Sequence, residues 1–298
     1  LDFKRPNFIE ETIVNHYAHP DALVSTQWIE DHLHDPNLRI LEVDISSAPY
    51  AEAHIPGAVF VNPLTDLLRP DLRLNVDPDA VNNLLSRTGI TPETTVVAYG
   101  SDPGTGGWIF WFLQAIGHAG ARVLNGGYQR WIAEGHPVAK ALSTVSPTQY
   151  SAKPFDSDFR ALLKDVEAAV DNPNQVLLDV RTLAEYNGQV FLLKPPRRTE
   201  RAGHMPGAIH LEHTLTLNDN GTFKSADELQ ALFHAQGVTA DKAVFPYCAV
   251  GGRSAHMWFV LKYLLGYPNV RNYDGSWNEW GRLPNTPIES NCDSVTPN

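Results

Sequence analysis

Cys248 opens the run Cys248-Ala249-Val250-Gly251-Gly252-Arg253-Ser254, whose residue types and order suit a nucleophile. The apolar stretch before it, 243–247, reads as a buried strand, and the apolar stretch after Ser254 reads as a helix stopped at Gly266. The thiol therefore stands in a tight strand-to-helix loop. Free N–H groups at the helix N-terminus carry positive partial charge, which favours thiolate over thiol and can hold an oxyanion beside it. Gly251 and Gly252 let the backbone turn several N–H groups toward one point, forming an anion nest to which Ala249, Val250 and Ser254 also belong. Arg253 adds a permanent charge and a forked donor set suited to carboxylate, sulfonate or phosphate oxygens. Most free cysteines are small buried hydrophobes; the glycine pair and the arginine are what single this one out.

The elements around this loop must come from a chain of 298 residues, 43% of them apolar, enough for two domains with a core each. A formal net charge of −11 argues against general binding to nucleic acid or an anionic membrane, since both need a basic face. No apolar stretch approaches the roughly 18 residues of a membrane span. The expectation is a soluble protein, cytoplasmic by default, with export after processing left open because the chain starts at Leu1. Two cysteines cannot build a disulfide framework, and no paired Cys/His spacing suggests zinc, so no metal or other cofactor is expected. Cys292, in a polar tail, reads as an incidental exposed thiol; a bridge to Cys248 would block the chemistry.

The two halves of the chain resemble each other with a period near 150 residues, the mark of domain duplication. His54-Ile55-Pro56-Gly57-Ala58 returns as His204-Met205-Pro206-Gly207-Ala208, and Asn125-Gly126-Gly127-Tyr128 returns as Asp274-Gly275-Ser276-Trp277. Strands are expected at 40–43, 59–61, 96–99 and 122–124, and again at 176–179, 208–211, 244–247 and 270–272, alternating with helical patterns. That order implies an α/β fold, a parallel sheet with helices on both faces in each half. The polar, proline-bearing stretch 143–155 divides a first domain, 1–142, from a second, 156–289, with a frayed tail at 290–298. In this alignment Gly100 stands where the second half has Cys248, so the first half carries no nucleophile. The glycine-rich run that follows Gly100 lacks the lysine and Ser/Thr of a Walker loop.

With these boxes and an active-type cysteine in the second half only, the chain resembles the two-domain rhodanese superfamily of sulfurtransferases over almost its whole length. Its cysteine loop is most similar to the Cys-x-x-Gly-x-Arg-Ser loop of bacterial thiosulfate sulfurtransferases. The resemblance implies that Cys248 takes the outer sulfur of thiosulfate as a persulfide and passes it to cyanide or a thiol acceptor, a thioredoxin-like or other protein acceptor included. It also implies that Arg253 holds the sulfonate end and that Arg181 leaves the first strand of the catalytic domain toward substrate; the alternative for Arg181 is an ion pair with Glu185. A substrate arginine is further implied within the cluster Arg197, Arg198 and Arg201, whose default reading is a solvated loop face. Asp44 and His54 match positions that form a proton relay with a loop serine in mercaptopyruvate sulfurtransferases. Val250 occupies that serine's place here, so the relay is incomplete and His54 reads as structural. Trp277 matches an aromatic at the pocket mouth, with core packing the favoured alternative. His256, one turn into the helix, either faces the pocket or caps Ser254.

Phosphatases with a Cys-x5-Arg loop offer a competing reading. The spacing here is Cys-x4-Arg, a smaller ring that suits one sulfur atom better than a phosphoryl group. A persulfide carrier serving one protein partner, with the same chemistry at Cys248, stays open as an alternative.

Overall fold

The computed structural model describes residues 16–290 except Pro103, Leu193, Arg198 and Thr199. Arg198, Cys292 and the tail beyond residue 290 lie outside the described residues. The first half is a parallel sheet of β1 (Leu23–Val24), β2 (Leu38–Val43), β3 (Val59–Val61), β4 (Thr95–Tyr99) and β5 (Ala121–Leu124), in the order β1-β5-β4-β2-β3. The strands β2 and β4 are buried along almost their whole length, as a parallel sheet covered on both faces requires. Helices Pro78–Arg87 and Gly106–Ala115 share one apolar cluster with the sheet, and helices Thr26–His32 and Gly127–Ala133 share another.

The second half repeats this order with β6 (Gln175–Asp179), β7 (Ile209–His210) and β8 (Ala243–Tyr247), arranged β7-β6-β8. Single parallel bridges, Val244 to Val270 and Arg160 to Asn272, stand where β5 and β1 stand in the first half. The strand expected at 270–272 is thus reduced to bridges, and Pro246 supplies a reason. Val244 exchanges bonds with Asn269 and Arg271, and Tyr273 donates to the Pro246 carbonyl, but Pro246 has no N–H to continue the ladder.

The duplication extends to individual hydrogen bonds. Tyr50 and Tyr186 donate to the carbonyls of Ala58 and Ala208. Tyr99 and Tyr247 accept from the N–H groups of Ile55 and Met205. Trp131 and Trp280 donate to the carbonyls of Pro137 and Pro287.

Each half has an apolar cluster of its own, as expected, but the largest cluster belongs to both. Helix Gly106–Ala115 is buried almost all round, so it needs a second partner besides its own sheet. It finds that partner in its repeat equivalent, helix Gly252–Phe259. The two approach closely only because of glycine: a side-chain carbon at Gly107 would lie 2.8 Å from His256 Cα, and one at Gly252 would lie 2.5 Å from the Trp108 ring.

Candidate active site

The strand β8 delivers Cys248 to the C-terminal end of the sheet, at the foot of helix Gly252–Phe259. Gly251 caps that helix with φ +99°, a left-handed conformation open to glycine, and a side chain there would press on Asp274 at 3.0 Å. This turn brings the Gly251 N–H to 3.2 Å from Cys248 Sγ, with the Ser254 hydroxyl at 3.6 Å and that of Ser276 at 3.9 Å. Ser276 Oγ also accepts the Cys248 N–H at 3.0 Å. Cys248 is 1% exposed, and burial pushes its thiol up. The Arg253 charge, the N–H and hydroxyl of Ser254 and the N–H of Val250 outweigh burial and leave it below the ordinary thiol value.

Two arginines take positions other than those expected. Arg253 does not present its fork to open space: Nη1 and Nη2 donate to the two oxygens of buried Glu185 at 2.7 and 2.8 Å. Burial alone would raise the Glu185 carboxyl, but the bonds from Arg253 and Thr182 hold it below its usual range. Arg181 pairs with Asp179 at 2.5 Å rather than with Glu185, and its Nη2 also donates to the Gly203 carbonyl at 2.7 Å. At 1% exposure, with its guanidinium 4.5 Å from the centre of the Trp277 ring, Arg181 is part of the core beneath the loop.

The rhodanese-like domain family matches residues 25–134 and again 162–283. The chain belongs to the rhodanese-like family. Among relatives of this rhodanese-like chain, the sulfur carrier protein TtuD of Thermus thermophilus is 42% identical over 278 residues, covering 91% of this chain and 98% of that protein. A Haloferax volcanii protein provisionally named a thiosulfate sulfurtransferase is 40% identical, covering 90% of this chain and 96% of its own. Among solved structures, the anaerobic ergothioneine biosynthesis enzyme of Chlorobium limicola, bound to trimethyl histidine, superposes with a TM-score of 0.79 at 26% identity, covering 92% of this chain and 71% of that one.

The remaining expected residues of the rhodanese-like chain are dispersed. Asp44 accepts from the Ser101 hydroxyl and, at 2.7 Å, from the Ile45 N–H. His54 is enclosed, stacks on Tyr50 at 4.0 Å and bonds the Tyr50 carbonyl at 2.7 Å. His204 does the same with Tyr186, so both histidines brace the Pro-Gly turns that follow them. Arg201 is tied to the carbonyls of Leu283 and Thr286 and to the Thr286 hydroxyl, and is no solvated cation. Trp277 is fully buried and donates to the Arg201 carbonyl at 3.2 Å, which is core packing and no rim. His256 bonds the Thr216 hydroxyl at 2.8 Å and caps nothing. Sequence reasoning missed Ser276 and the pairing of Glu185 with Arg253. The signal for Ser276 was present: it replaces Gly127 of the first half, and the two share a left-handed backbone, φ +52° and +58°.

Proposed function

We propose that the protein is a sulfurtransferase that moves the outer sulfur of thiosulfate to cyanide or a thiol through a persulfide on Cys248. The observation that carries this reading is the Cys248 sulfur itself, ringed by the Gly251 N–H and the hydroxyls of Ser254 and Ser276 and held below the ordinary thiol value. In the first step the Cys248 thiolate attacks the outer sulfur, the S–S bond of thiosulfate breaks, and sulfite leaves with the bonding pair. In the second step the acceptor attacks the outer persulfide sulfur and Cys248 departs as thiolate. Convergent N–H groups stabilise the anionic sulfur in both states without a mobile cation. Arg253 contributes charge at a distance and fixes the loop through Glu185, so the dianionic donor meets the loop N–H groups.

A second reading, a persulfide carrier for a protein acceptor, draws support from the name of the Thermus relative, a sulfur carrier protein at 42% identity. The deciding experiment measures sulfur transfer to cyanide with thiosulfate and with 3-mercaptopyruvate as donors, on the intact protein and on Cys248→Ser. Thiosulfate-dependent turnover abolished by the substitution supports the enzyme. A +32 Da adduct on Cys248 without turnover supports the carrier, and no adduct with either donor overturns both.

A further inference from the structure

At the seam between the halves lies a pair of residues that sulfur transfer does not use. His213 N–H donates to the Val180 carbonyl, and Val180 N–H donates to the Tyr247 carbonyl. His213 and Cys248 therefore leave the same end of the sheet on either side of one strand, roughly 10 Å apart at two interstrand spacings. The His213 ring is buried, and among the described residues neither of its nitrogens has a hydrogen-bond partner. A neutral imidazole left in that state is costly. Its Nε2 lies 3.7 Å from Asp102 Oδ2, which belongs to the first half and sits in the loop that corresponds to the Cys248 loop. Asp102 is about half exposed, and its other oxygen accepts the Gly104 N–H at 2.8 Å, which fixes the carboxylate in place. Among the described residues His256 also stands against His213, with its ring edge-on at 5.9 Å and its Nε2 engaged by Thr216.

We infer that Asp102 and His213 form a proton-operated clasp between the two halves: a proton taken up by His213 turns a buried, unpartnered imidazole into an ion pair that holds the Asp102 loop against the catalytic half. The His213 ring opposite it, and then the Gly104 N–H, hold the Asp102 carboxyl down to about 2 against burial, so it stays charged at milder pH. Burial, then His213, push His256 down to about 3, so it stays neutral over the same range. The clasp strengthens the contact as pH falls and releases it as pH rises.

The test follows the imidazole C–H resonances of His213 by NMR and amide hydrogen exchange of Ser101, Asp102, Gly104 and Thr105 between pH 5 and 8, on the intact chain, Asp102→Asn and His213→Gln. The expected results are a lower His213 titration midpoint in Asp102→Asn, and loop amides protected several-fold more at pH 5 than at pH 8, after correction for intrinsic exchange, in the intact chain only. An unchanged midpoint in Asp102→Asn, or protection that varies with pH equally in both variants, overturns the clasp. Should His213→Gln fail to fold, Asp102→Asn decides alone, because that side chain is half exposed and its removal leaves the core intact. Neither measurement requires sulfur transfer, so a failed clasp is not confused with a failed assignment of activity.

Discussion

Ser276 holds a left-handed backbone that its counterpart Gly127 adopts without cost, and non-glycine residues in such regions cost about 1–3 kcal/mol. What the chain gains is a hydroxyl that accepts the buried Cys248 N–H at 3.0 Å and lies near its sulfur. Ser276→Ala keeps the strain and orphans that N–H, so a destabilisation of about 1–3 kcal/mol is expected. Ser276→Gly orphans it too but relieves the strain, so it should be the more stable variant in urea unfolding; the reverse order would show that the hydroxyl is not what the strained backbone serves. Cys248 makes a second prediction at this scale. Its folded-state value lies below that of an ordinary thiol, so the unfolded chain binds the proton more readily between the two values. The thiolate's stabilisation is complete above about pH 8.5, the unfolded value, and is lost as pH falls through the lower folded one. Stability should rise with pH across that window in the intact protein and stay flat in Cys248→Ala. Cysteine, glycine pair and arginine were legible in the sequence because one contiguous loop holds them all. The destination of the Arg253 fork was not, since its partner Glu185 lies 68 residues away and only the register of β6 on β8 brings them together.

The Arg253–Glu185 bond joins two elements, helix Leu183–Tyr186 after β6 and helix Gly252–Phe259 after β8, and so fixes the mouth of the loop at the scale of the sheet. Glu185 also closes a capping box with Thr182, so its carboxylate serves the short helix and the catalytic one together. Glu185→Ala leaves a largely buried guanidinium unpaired, and a loss of about 3–5 kcal/mol is expected. Replacing both residues by methionine should cost less than Glu185→Ala alone, because no charge is then stranded. A double change that costs as much as the sum of the single ones would show that the pair is not coupled. Since Arg253 heads the influences that lower the thiol, its removal should also raise the pH at which Cys248 becomes alkylated by iodoacetamide. Element order was read correctly from alternating apolar runs, whereas the run at 270–272 became isolated bridges. Apolar patterning cannot show that Pro246, in the neighbouring strand, lacks the N–H needed to extend the pairing.

At the scale of the whole molecule, two equal halves suggested two cores, and the repeat boxes carried that reading as far as it could go. Which faces of two duplicated domains meet is written in no single box; it depends on Gly107 lying against His256 and Gly252 against Trp108. The acid limb of stability is expected to arise at this same crossing. His256 is fully buried in the helix contact and, through burial first and His213 second, titrates at about 3, against about 6.5 in an unfolded chain. Between those values the unfolded chain binds a proton that the folded one refuses, so stability must fall as pH drops from about 6.5 toward about 3 and be indifferent to this group above that window. A shift of this size corresponds to a few kcal/mol at the acid end. His256→Gln retains a polar end within reach of Thr216 and removes the titration, so its urea midpoint should vary less between pH 7 and pH 4 than that of the intact protein. Gly107→Ala supplies the geometric counterpart. It forces the two helices apart against backbone, should cost about 1–3 kcal/mol at neutral pH, and by admitting water to His256 should also shrink the acid dependence. If Gly107→Ala lowers stability and leaves the acid slope untouched, then the burial of His256 does not depend on the close approach of the two halves.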